Sequence, residues 1–257
     1  MSDKKDSQEM ELFNSSTQTK KVAVGVILIA LYAILALLPM SAFIGSAGLS
    51  SILSFGICVS PLFGIILGPW RGFGFGFIAG IVATIISLPI GGGVYIIIPL
   101  TILSPAIAGL FTGLTLRRIT RFNDYKIPGP IITTIFLIII IFLYEIINFT
   151  AWWFMMPYMF AVIITIILQI MKFEFDIGSS YTQLIPFTFL GAMLDHSMMV
   201  MGSVYLLQLP AEVFGYAIFP VMIIERVIAT FLGAILGFII LKIFGSEFEI
   251  LLNQENQ

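Results

Sequence analysis

The chain has 257 residues, of which 59% are hydrophobic and only 10% are charged, with a net charge of −2 and a mean hydropathy of +1.09. Soluble domains carry about 25% charged residues, and a chain this poor in charge could not cover a surface that faces water. The composition therefore excludes a soluble enzyme, a nucleic-acid-binding protein and a disordered chain, and it indicates an integral membrane protein.

Long apolar runs without polar alternation predict helices rather than barrel strands, because a crossing helix needs about 20 apolar residues. Helices and closed barrels are the structures that satisfy their backbone polar groups in lipid. The sequence predicts an all-α transmembrane bundle with eight crossings. The eight apolar runs are residues 22–40, 49–67, 72–88, 94–116, 131–148, 157–171, 183–207 and 215–244.

The predicted domain organisation is a single transmembrane domain over residues 22–244. Residues 1–21 are polar, lack the apolar region of a signal peptide and are expected to form a disordered cytoplasmic tail. Residues 245–257 are expected to form a second cytoplasmic tail. The stretch 131–171 is too long for one crossing and is interpreted as an inserted hairpin, with six crossings as the alternative if it does not cross fully.

The basic residues predict the orientation. With Lys20 and Lys21 placed in the cytoplasm, eight crossings put eleven of the twelve Lys and Arg residues on that side. This asymmetry agrees with the positive-inside rule for cytoplasmic loops. Both termini are therefore predicted to be cytoplasmic, in a protein of the plasma membrane that contacts lipid and has no nucleic-acid partner.

Small residues recur four positions apart in three runs, which allows helix backbones to approach closely. The rows are Gly72, Gly76 and Gly80, then Gly109 and Gly113, then Ala229, Gly233 and Gly237. Two interpretations stay open: packing inside the bundle, or a surface that contacts another membrane subunit, with Gly72 and Gly76 as its residues. Arg71, in the glycine-rich turn before the third run, is expected to hold a lipid headgroup or an acidic residue of a partner.

Four ionisable residues lie near the middle of the last two runs, where an unpaired charge is costly and usually functional. They are Asp195 and His196 in the seventh run and Glu225 and Arg226 in the eighth. Because these runs are antiparallel neighbours, Asp195 can pair with Arg226, and His196 with Glu225. The alternatives are a charge pair that fixes helix register or a substrate-binding site.

A second candidate site lies at the outer end of the fifth run. Glu145 and Trp152 are suited to bind a cationic or ring-bearing nutrient, and the alternative is an aromatic belt with Tyr158 at the membrane interface. The sequence has one cysteine, no phosphate-binding loop and no set of catalytic residues. No catalytic residue, metal or cofactor is therefore predicted, and the chain is not expected to be an enzyme.

Three stretches carry a resemblance to a known family. They are Lys20-Lys21 with the alanine-dotted helix Ile29–Ala36, the turn Leu67-Gly-Pro-Trp-Arg-Gly72 before a glycine-rich helix, and the region from Gly191–His196 through Leu209–Glu212 to Glu225–Ala229. Together they resemble the substrate-binding S components of energy-coupling factor (ECF) transporters, the last two stretches in particular those of archaea.

The resemblance implies a subunit that captures a vitamin-like nutrient from outside the cell. A transmembrane coupling protein and two ATPases would drive release, and small residues of the first helix, here Ala30 and Ala33, would contact the coupling protein. The alternative function is a self-sufficient, proton-coupled secondary transporter. It is suggested by the titratable Asp195-His196 pair and by an internal similarity, at a shift of 121 residues, between 88–108 and 209–229.

Overall fold

A computed structural model of the chain describes residues 2–38, 54–88, 97–117, 119–122, 125–171 and 180–254. Within these ranges the fold consists of eight α-helices and one small antiparallel pair of strands. The helices are α1 (Ser2–Ala36), α2 (Ser60–Leu67), α3 (Pro69–Ser87), α4 (Ile98–Arg117), α5 (Gly129–Asn148), α6 (Met156–Ile170), α7 (Ile185–Tyr205) and α8 (Phe219–Gln254), and the strands are β1 (Ile119–Phe122) and β2 (Tyr125–Pro128).

The helix pairs α5–α6 and α7–α8 are antiparallel. In the α5–α6 pair, Thr134 and Thr165 share a hydrogen bond of 2.7 Å. In the α7–α8 pair, Thr188 donates to the Thr230 carbonyl at 3.0 Å. In the second pair Arg226 also contacts Ala192, so the residue number falls along α7 as it rises along α8. In the first pair the short segment Phe149–Met155 reverses the chain direction between the two helices. The stretch predicted as an inserted hairpin is thus two helices joined by the 3₁₀ segment Phe149–Met155.

Six helical segments are long and apolar enough to cross a membrane, which identifies the chain as a helical membrane protein. The α5–α6 hairpin is counted as one of them, and Phe55–Leu67 is apolar but shorter. The segments are Gln18–Ala36, Pro69–Ser87, Ile98–Arg117, Gly129–Ile170, Tyr181–Tyr205 and Val213–Phe244.

Prolines stand in the first turn of most of the helices. The missing N–H of proline costs nothing there, and its fixed φ angle suits the start of a helix. Seven of the eight helices have a proline at their first or second residue, namely Pro61, Pro69, Pro99, Pro130, Pro157, Pro186 and Pro220. Pro39 and residues 89–93 lie outside the described residues.

Gly68 joins α2 to α3 in a single-residue turn. Its φ angle is +82°, a conformation that other residues adopt only with strain. Its backbone N–H donates to the Gly64 carbonyl at 3.0 Å, and the Gly72 N–H donates to the Gly68 carbonyl at 2.7 Å. The Arg117 side chain lies against it, at the place where a Cβ would be. A glycine is therefore required here both for the turn and for the close approach of α4.

The small-residue rows pack inside the bundle, the first of the two interpretations left open by the sequence. A Cβ at Gly76 would lie 2.5 Å from the Pro105 carbonyl oxygen of α4, and one at Gly72 would lie 2.9 Å from the Phe63 carbonyl oxygen of α2. Both glycines are buried, so neither presents a surface to another subunit. Backbone contact between α2, α3 and α4 accounts for them.

The other residues suggested as partner contacts differ in accessibility. Ala30 is exposed, whereas Ala33 is buried, so the two do not form one open face on α1. Arg71 is partly buried and donates a hydrogen bond to the Gln18 side chain of α1. Arg71 therefore connects α3 to α1 by a hydrogen bond.

Two local features differ from the expectations. The residues predicted as tails continue the helices, since α1 begins at Ser2 and α8 ends at Gln254. Glu, Lys and Gln are good helix formers, and they extend a helix that the apolar segment has nucleated. The strands β1 and β2, paired from Ile119–Pro128 to Phe122–Tyr125, were not predicted. Arg118 and Lys172, two of the residues used for the orientation, lie outside the described residues.

Two hydrophobic clusters make up most of the core. One joins α1, α2 and α3 to parts of α6, α7 and α8 and includes Leu28, Leu62 and Phe63. The other joins the α5–α6 hairpin to α7, with Tyr144 and Phe154 fully buried. A smaller third cluster contains Ile57, Cys58, Ala192 and Ala229. The charged residues of α7 and α8 lie beside this third cluster, enclosed by apolar side chains.

Candidate binding site

Four ionisable side chains lie buried within the bundle, on the two helices that the sequence indicated. Asp195 and His196 occupy the middle of α7 and are 9% and 5% exposed, and Glu225 and Arg226 on α8 are 1% and 2% exposed. Charged residues are almost never so fully buried unless they are paired or serve a function. We call these four residues, with Ser60 and Tyr158, the buried polar cluster.

Asp195 is held by a hydroxyl from α2. The Ser60 hydroxyl donates to the Asp195 Oδ1 atom at 2.7 Å, and both residues are buried. Ser60 is the first residue of α2, and Val59 separates it from the 3₁₀ segment Phe55–Cys58. A hydrogen bond to an ionised carboxylate stabilises the charged form and fixes the carboxylate direction. This partner lies 135 residues away in the sequence and was not predicted.

His196 is held by the hairpin. The Tyr158 hydroxyl and the His196 Nδ1 atom share a hydrogen bond of 2.9 Å, and the two rings stack with centroids 6.1 Å apart. The prediction that Tyr158 lies in an interfacial belt is therefore wrong, because its side chain is fully buried. The belt was inferred from the neighbouring tryptophans, and a sequence pattern cannot tell which face of a short helix turns inward.

Arg226 and Glu225 are incompletely satisfied. Arg226 Nη1 donates to the Ala192 carbonyl oxygen at 3.3 Å. Its Nε and Nη2 atoms, and both carboxylate oxygens of Glu225, are buried without a hydrogen-bond partner among the described residues. Such groups are rare in native proteins, because a buried and unpaired charge costs several kcal/mol.

The two direct pairings that the sequence suggested do not form among these described residues. Ala192 lies opposite Arg226, and Thr188 lies opposite Thr230. In this register Asp195 lies level with Ile223, three residues from Arg226, an offset of about 4.5 Å along the helix axis. The same offset separates His196 from Glu225. The position of these four residues near the middle of their runs therefore predicted their relative depth only to within one helical turn.

Arg226 is nevertheless the electrostatic centre of the cluster. Its positive charge interacts with the carboxylates of Asp195 and Glu225 and with the ring of His196. It also interacts with the side chains of Tyr158 and Cys58. In a surrounding of low dielectric these interactions are strong over longer distances than in water. One cation therefore influences ionisable groups from four helical segments.

Aromatic rings enclose the cluster on the side of the hairpin turn. Phe154 packs against Tyr144 and Phe214, with centroids 5.2 and 5.1 Å away, and its ring centroid is 6.1 Å from that of His196. Phe214 belongs to the π-helical segment Val213–Ile218 that precedes α8. Such wide turns occur often at functional sites. The enclosure is apolar and rich in rings on this side.

The second candidate site, at the end of α5, is separate. Both carboxylate oxygens of Glu145 are buried without a hydrogen-bond partner among the described residues, and Trp152 is exposed. In the part of the chain that the structure describes, neither residue makes a hydrogen bond, ion pair or ring contact with the buried polar cluster. The indole of Trp153 donates to the Gly215 carbonyl at 3.3 Å, which attaches the hairpin turn to the π-helical segment.

Metal binding has no support in the described part of the chain, since it contains no group of three or more His, Cys, Asp or Glu residues placed to hold an ion. Hydroxyl, carboxylate, imidazole and guanidinium groups are what the buried polar cluster offers. These groups recognise polar and charged organic molecules by hydrogen bonds. The buried polar cluster is therefore suited to binding a polar or charged organic molecule.

The fold and the cluster together define the class of protein: a helical membrane protein with a cluster of ionisable residues buried inside its bundle. No protein-family model matches the sequence, and no curated protein and no solved structure matches it.

Replacing Ser60 by alanine is expected to destabilise the protein by about 2 kcal/mol, because the Asp195 carboxylate would lose a charged hydrogen bond in a buried position. Ser197→Ala is the matched control. Ser197 is equally buried, but its hydroxyl donates to the Leu194 carbonyl of its own helix, so a smaller loss is expected. Unfolding by SDS in mixed micelles measures both. Equal losses for the two variants would contradict a role of Ser60 in holding Asp195.

Proposed function

We propose that the chain is the substrate-capture subunit of an ATP-driven uptake system for a small, vitamin-like nutrient, of the ECF type. The observation that carries the proposal is the set of unsatisfied charged atoms on Glu225 and Arg226, enclosed near the middle of the spanning helices. A polar ligand that supplies the missing hydrogen bonds would offset the cost of these buried charges. A purely structural charge pair would instead satisfy its own members.

The proposal includes separate energising subunits. The sequence contains no phosphate-binding loop, so ATP hydrolysis would belong to two ATPases joined through a transmembrane coupling protein. The exposed apolar face of α1, which includes Ala30 and Ile34, is a candidate contact for that coupling protein. The resemblance of three sequence stretches to ECF S components supports this assembly.

In the proposed topology the chain crosses the plasma membrane eight times, with both termini in the cytoplasm. The antiparallel α5–α6 hairpin supports two crossings there, and α2 would supply another as part of the segment Phe55–Leu67. Lys20, Arg71, Arg117 and Lys242 lie near the ends of their spanning segments. These four ends share one side of the membrane when successive helices alternate in direction. The positive-inside rule assigns that side to the cytoplasm.

Cysteine labelling on intact cells tests this topology. In a Cys58→Ser background, Trp152→Cys is expected to react with a membrane-impermeant maleimide, because the hairpin turn would reach the outer surface. Lys126→Cys, also at an exposed position, is expected to react only after the membrane is permeabilised. Protection of the Trp152→Cys variant in intact cells would contradict a full crossing by the hairpin.

Co-expression tests the proposed function. The chain is expected to co-purify with a coupling protein and two ATPases of the same cell, and the reconstituted complex is expected to take up its nutrient only with ATP. Catalytically dead ATPases provide the control. Uptake by this chain alone in proteoliposomes, driven by a proton gradient, would contradict the proposal.

That last outcome would favour the second candidate, a proton-coupled secondary transporter. The observation behind it is the pair of hydrogen-bonded titratable groups at the middle of α7, Asp195 with Ser60 and His196 with Tyr158. Proton relays in transporters use such buried acids and histidines. Under this alternative, Asp195→Asn abolishes proton-coupled uptake, and unchanged uptake by that variant would exclude it.

A further inference from the structure

We propose that the ligand of the buried polar cluster is a small amphoteric molecule that carries both a carboxylate and a cationic amine. This inference rests on the proposed function, since it names the substrate class of the same site. Its basis is the identity of the atoms that the protein leaves unsatisfied: two guanidinium nitrogens of Arg226 and two carboxylate oxygens of Glu225.

The edge of the Arg226 guanidinium that carries Nε and Nη2 favours an acidic group on the ligand. The guanidinium uses Nη1 for the Ala192 carbonyl and leaves Nε and Nη2 without a partner among the described residues. Nε–H and Nη2–H point in parallel from one edge of the planar group. A carboxylate accepts both at once in a bidentate arrangement, which is the strongest hydrogen bonding that arginine offers.

The Glu225 carboxylate favours a basic group on the ligand. Its side chain is 1% exposed, and neither oxygen has a hydrogen-bond partner in the described part of the chain. An ionised carboxylate only accepts hydrogen bonds. The group that satisfies it must therefore donate, and a cationic amine supplies both the donors and the opposite charge.

The charge of the cluster favours a ligand with both groups. Asp195 and Glu225 are acidic, Arg226 is basic, and the charge of Arg226 acts on both carboxylates. A ligand with a carboxylate alone would neutralise Arg226 and leave two buried acids without a counter-charge. A ligand with an amine alone would leave the free edge of Arg226 unpaired. In a low dielectric each such unpaired charge is expensive, whereas an amphoteric molecule satisfies both residues.

The other polar groups of the cluster do not compete for these atoms. Asp195 already accepts from Ser60, and His196 is bonded to Tyr158. The α7–α8 register keeps Asp195 about one helical turn from Arg226. The two helices therefore present Glu225 and Arg226 together as the unsatisfied part of the cluster, with the other polar groups fixed beside them.

Isothermal titration with ω-amino acids tests the inference on the purified full chain. The probes are glycine, 3-aminopropanoate, 4-aminobutyrate and 6-aminohexanoate, each compared with the alkylamine and the alkanoate of the same carbon number. At least one amino acid is expected to bind ten-fold more tightly than both of its single-charge analogues. No preference for any amino acid over its analogues, or no binding by any probe, would overturn the inference.

Variants localise the binding. Arg226→Gln and Glu225→Gln keep side chains that form hydrogen bonds, and each is expected to weaken amino-acid binding at least ten-fold. Glu212→Gln, at an exposed carboxylate, is expected to bind as the unchanged protein does. Gel filtration and circular dichroism identify any variant that fails to fold. Ten-fold weaker binding in the Glu212→Gln variant, or full affinity in a folded Arg226→Gln variant, would contradict the assignment.

The outcomes separate this inference from the proposed function. ATP-driven uptake of another nutrient, lost in the Arg226→Gln variant and unaffected by excess amino acid, would overturn the ligand class alone. Tight amino-acid binding by a chain that transports with a proton gradient and without ATPases would support the ligand class and overturn the proposed function.

Discussion

Replacing Arg226 by methionine is expected to lower the free energy of unfolding by about 3–5 kcal/mol, the range for breaking a buried charge interaction by removing one partner. Arg226 is 2% exposed and interacts with the carboxylates of both Asp195 and Glu225. Without it, two acidic groups would remain buried with no positive charge beside them. Methionine has a similar length and is apolar, so the change mainly reports the lost charge.

A double-mutant cycle distinguishes this electrostatic cause from lost packing. Adding Asp195→Asn to Arg226→Met removes one of the two carboxylates left without a counter-charge. The amide oxygen of asparagine can still accept a hydrogen bond from Ser60. The double variant is therefore expected to be more stable than Arg226→Met alone. Lys242→Met, which removes an exposed lysine, is the control and is expected to change stability by about 0.5 kcal/mol or less. SDS unfolding in mixed micelles provides the measurement, and additive losses would contradict the coupling.

Gly76→Ala is expected to destabilise the bundle by about 1–3 kcal/mol, because overpacking at a close backbone contact forces helices apart. The added Cβ would lie 2.5 Å from the Pro105 carbonyl oxygen and 2.9 Å from the Ala106 nitrogen. Both are backbone atoms of α4, which cannot rotate away as a side chain can. The α3–α4 pair would have to separate over its whole length.

Gly74→Ala is the control on the same helix. Nothing lies within 4 Å of a Cβ at Gly74. Alanine is the better helix former by about 1 kcal/mol, so this variant is expected to be as stable as the unchanged chain or more so. Thermal denaturation of both variants in detergent compares them directly. A similar fall in Tm for the two would show that helix α3 tolerates no substitution there, and would contradict the contact-specific explanation.

Much of the fold was predictable because lipid imposes simple rules. Apolar runs mark crossing helices since unsatisfied backbone groups cannot exist in the bilayer. The eight runs correspond in order to α1–α8, although six segments meet the length and hydropathy of a full span. The β1–β2 pair was not predicted because each strand has only four residues. A periodic pattern needs more residues than that to be recognised.

The candidate site was predictable in part, for a related reason. Charges in apolar runs stand out, so Asp195, His196, Glu225 and Arg226 could be identified from the sequence alone. Ser60 and Tyr158 could not, because a serine or a tyrosine is common in membrane helices and carries no signal by itself. Glu145 is also a charged residue in an apolar run. Neither it nor Trp152, however, belongs to the buried polar cluster.

The sequence by itself determined that the protein is a helical membrane protein and which four charges lie deep within it, since both follow from the cost of polar groups in lipid. Only the tertiary structure decided the partners of those charges. The register of α7 against α8, the contact of α2 with α7 and the inward turn of Tyr158 result from side-chain packing between distant segments. Such packing depends on shape, and it leaves Arg226 and Glu225 with unsatisfied atoms that no local pattern in the sequence reveals.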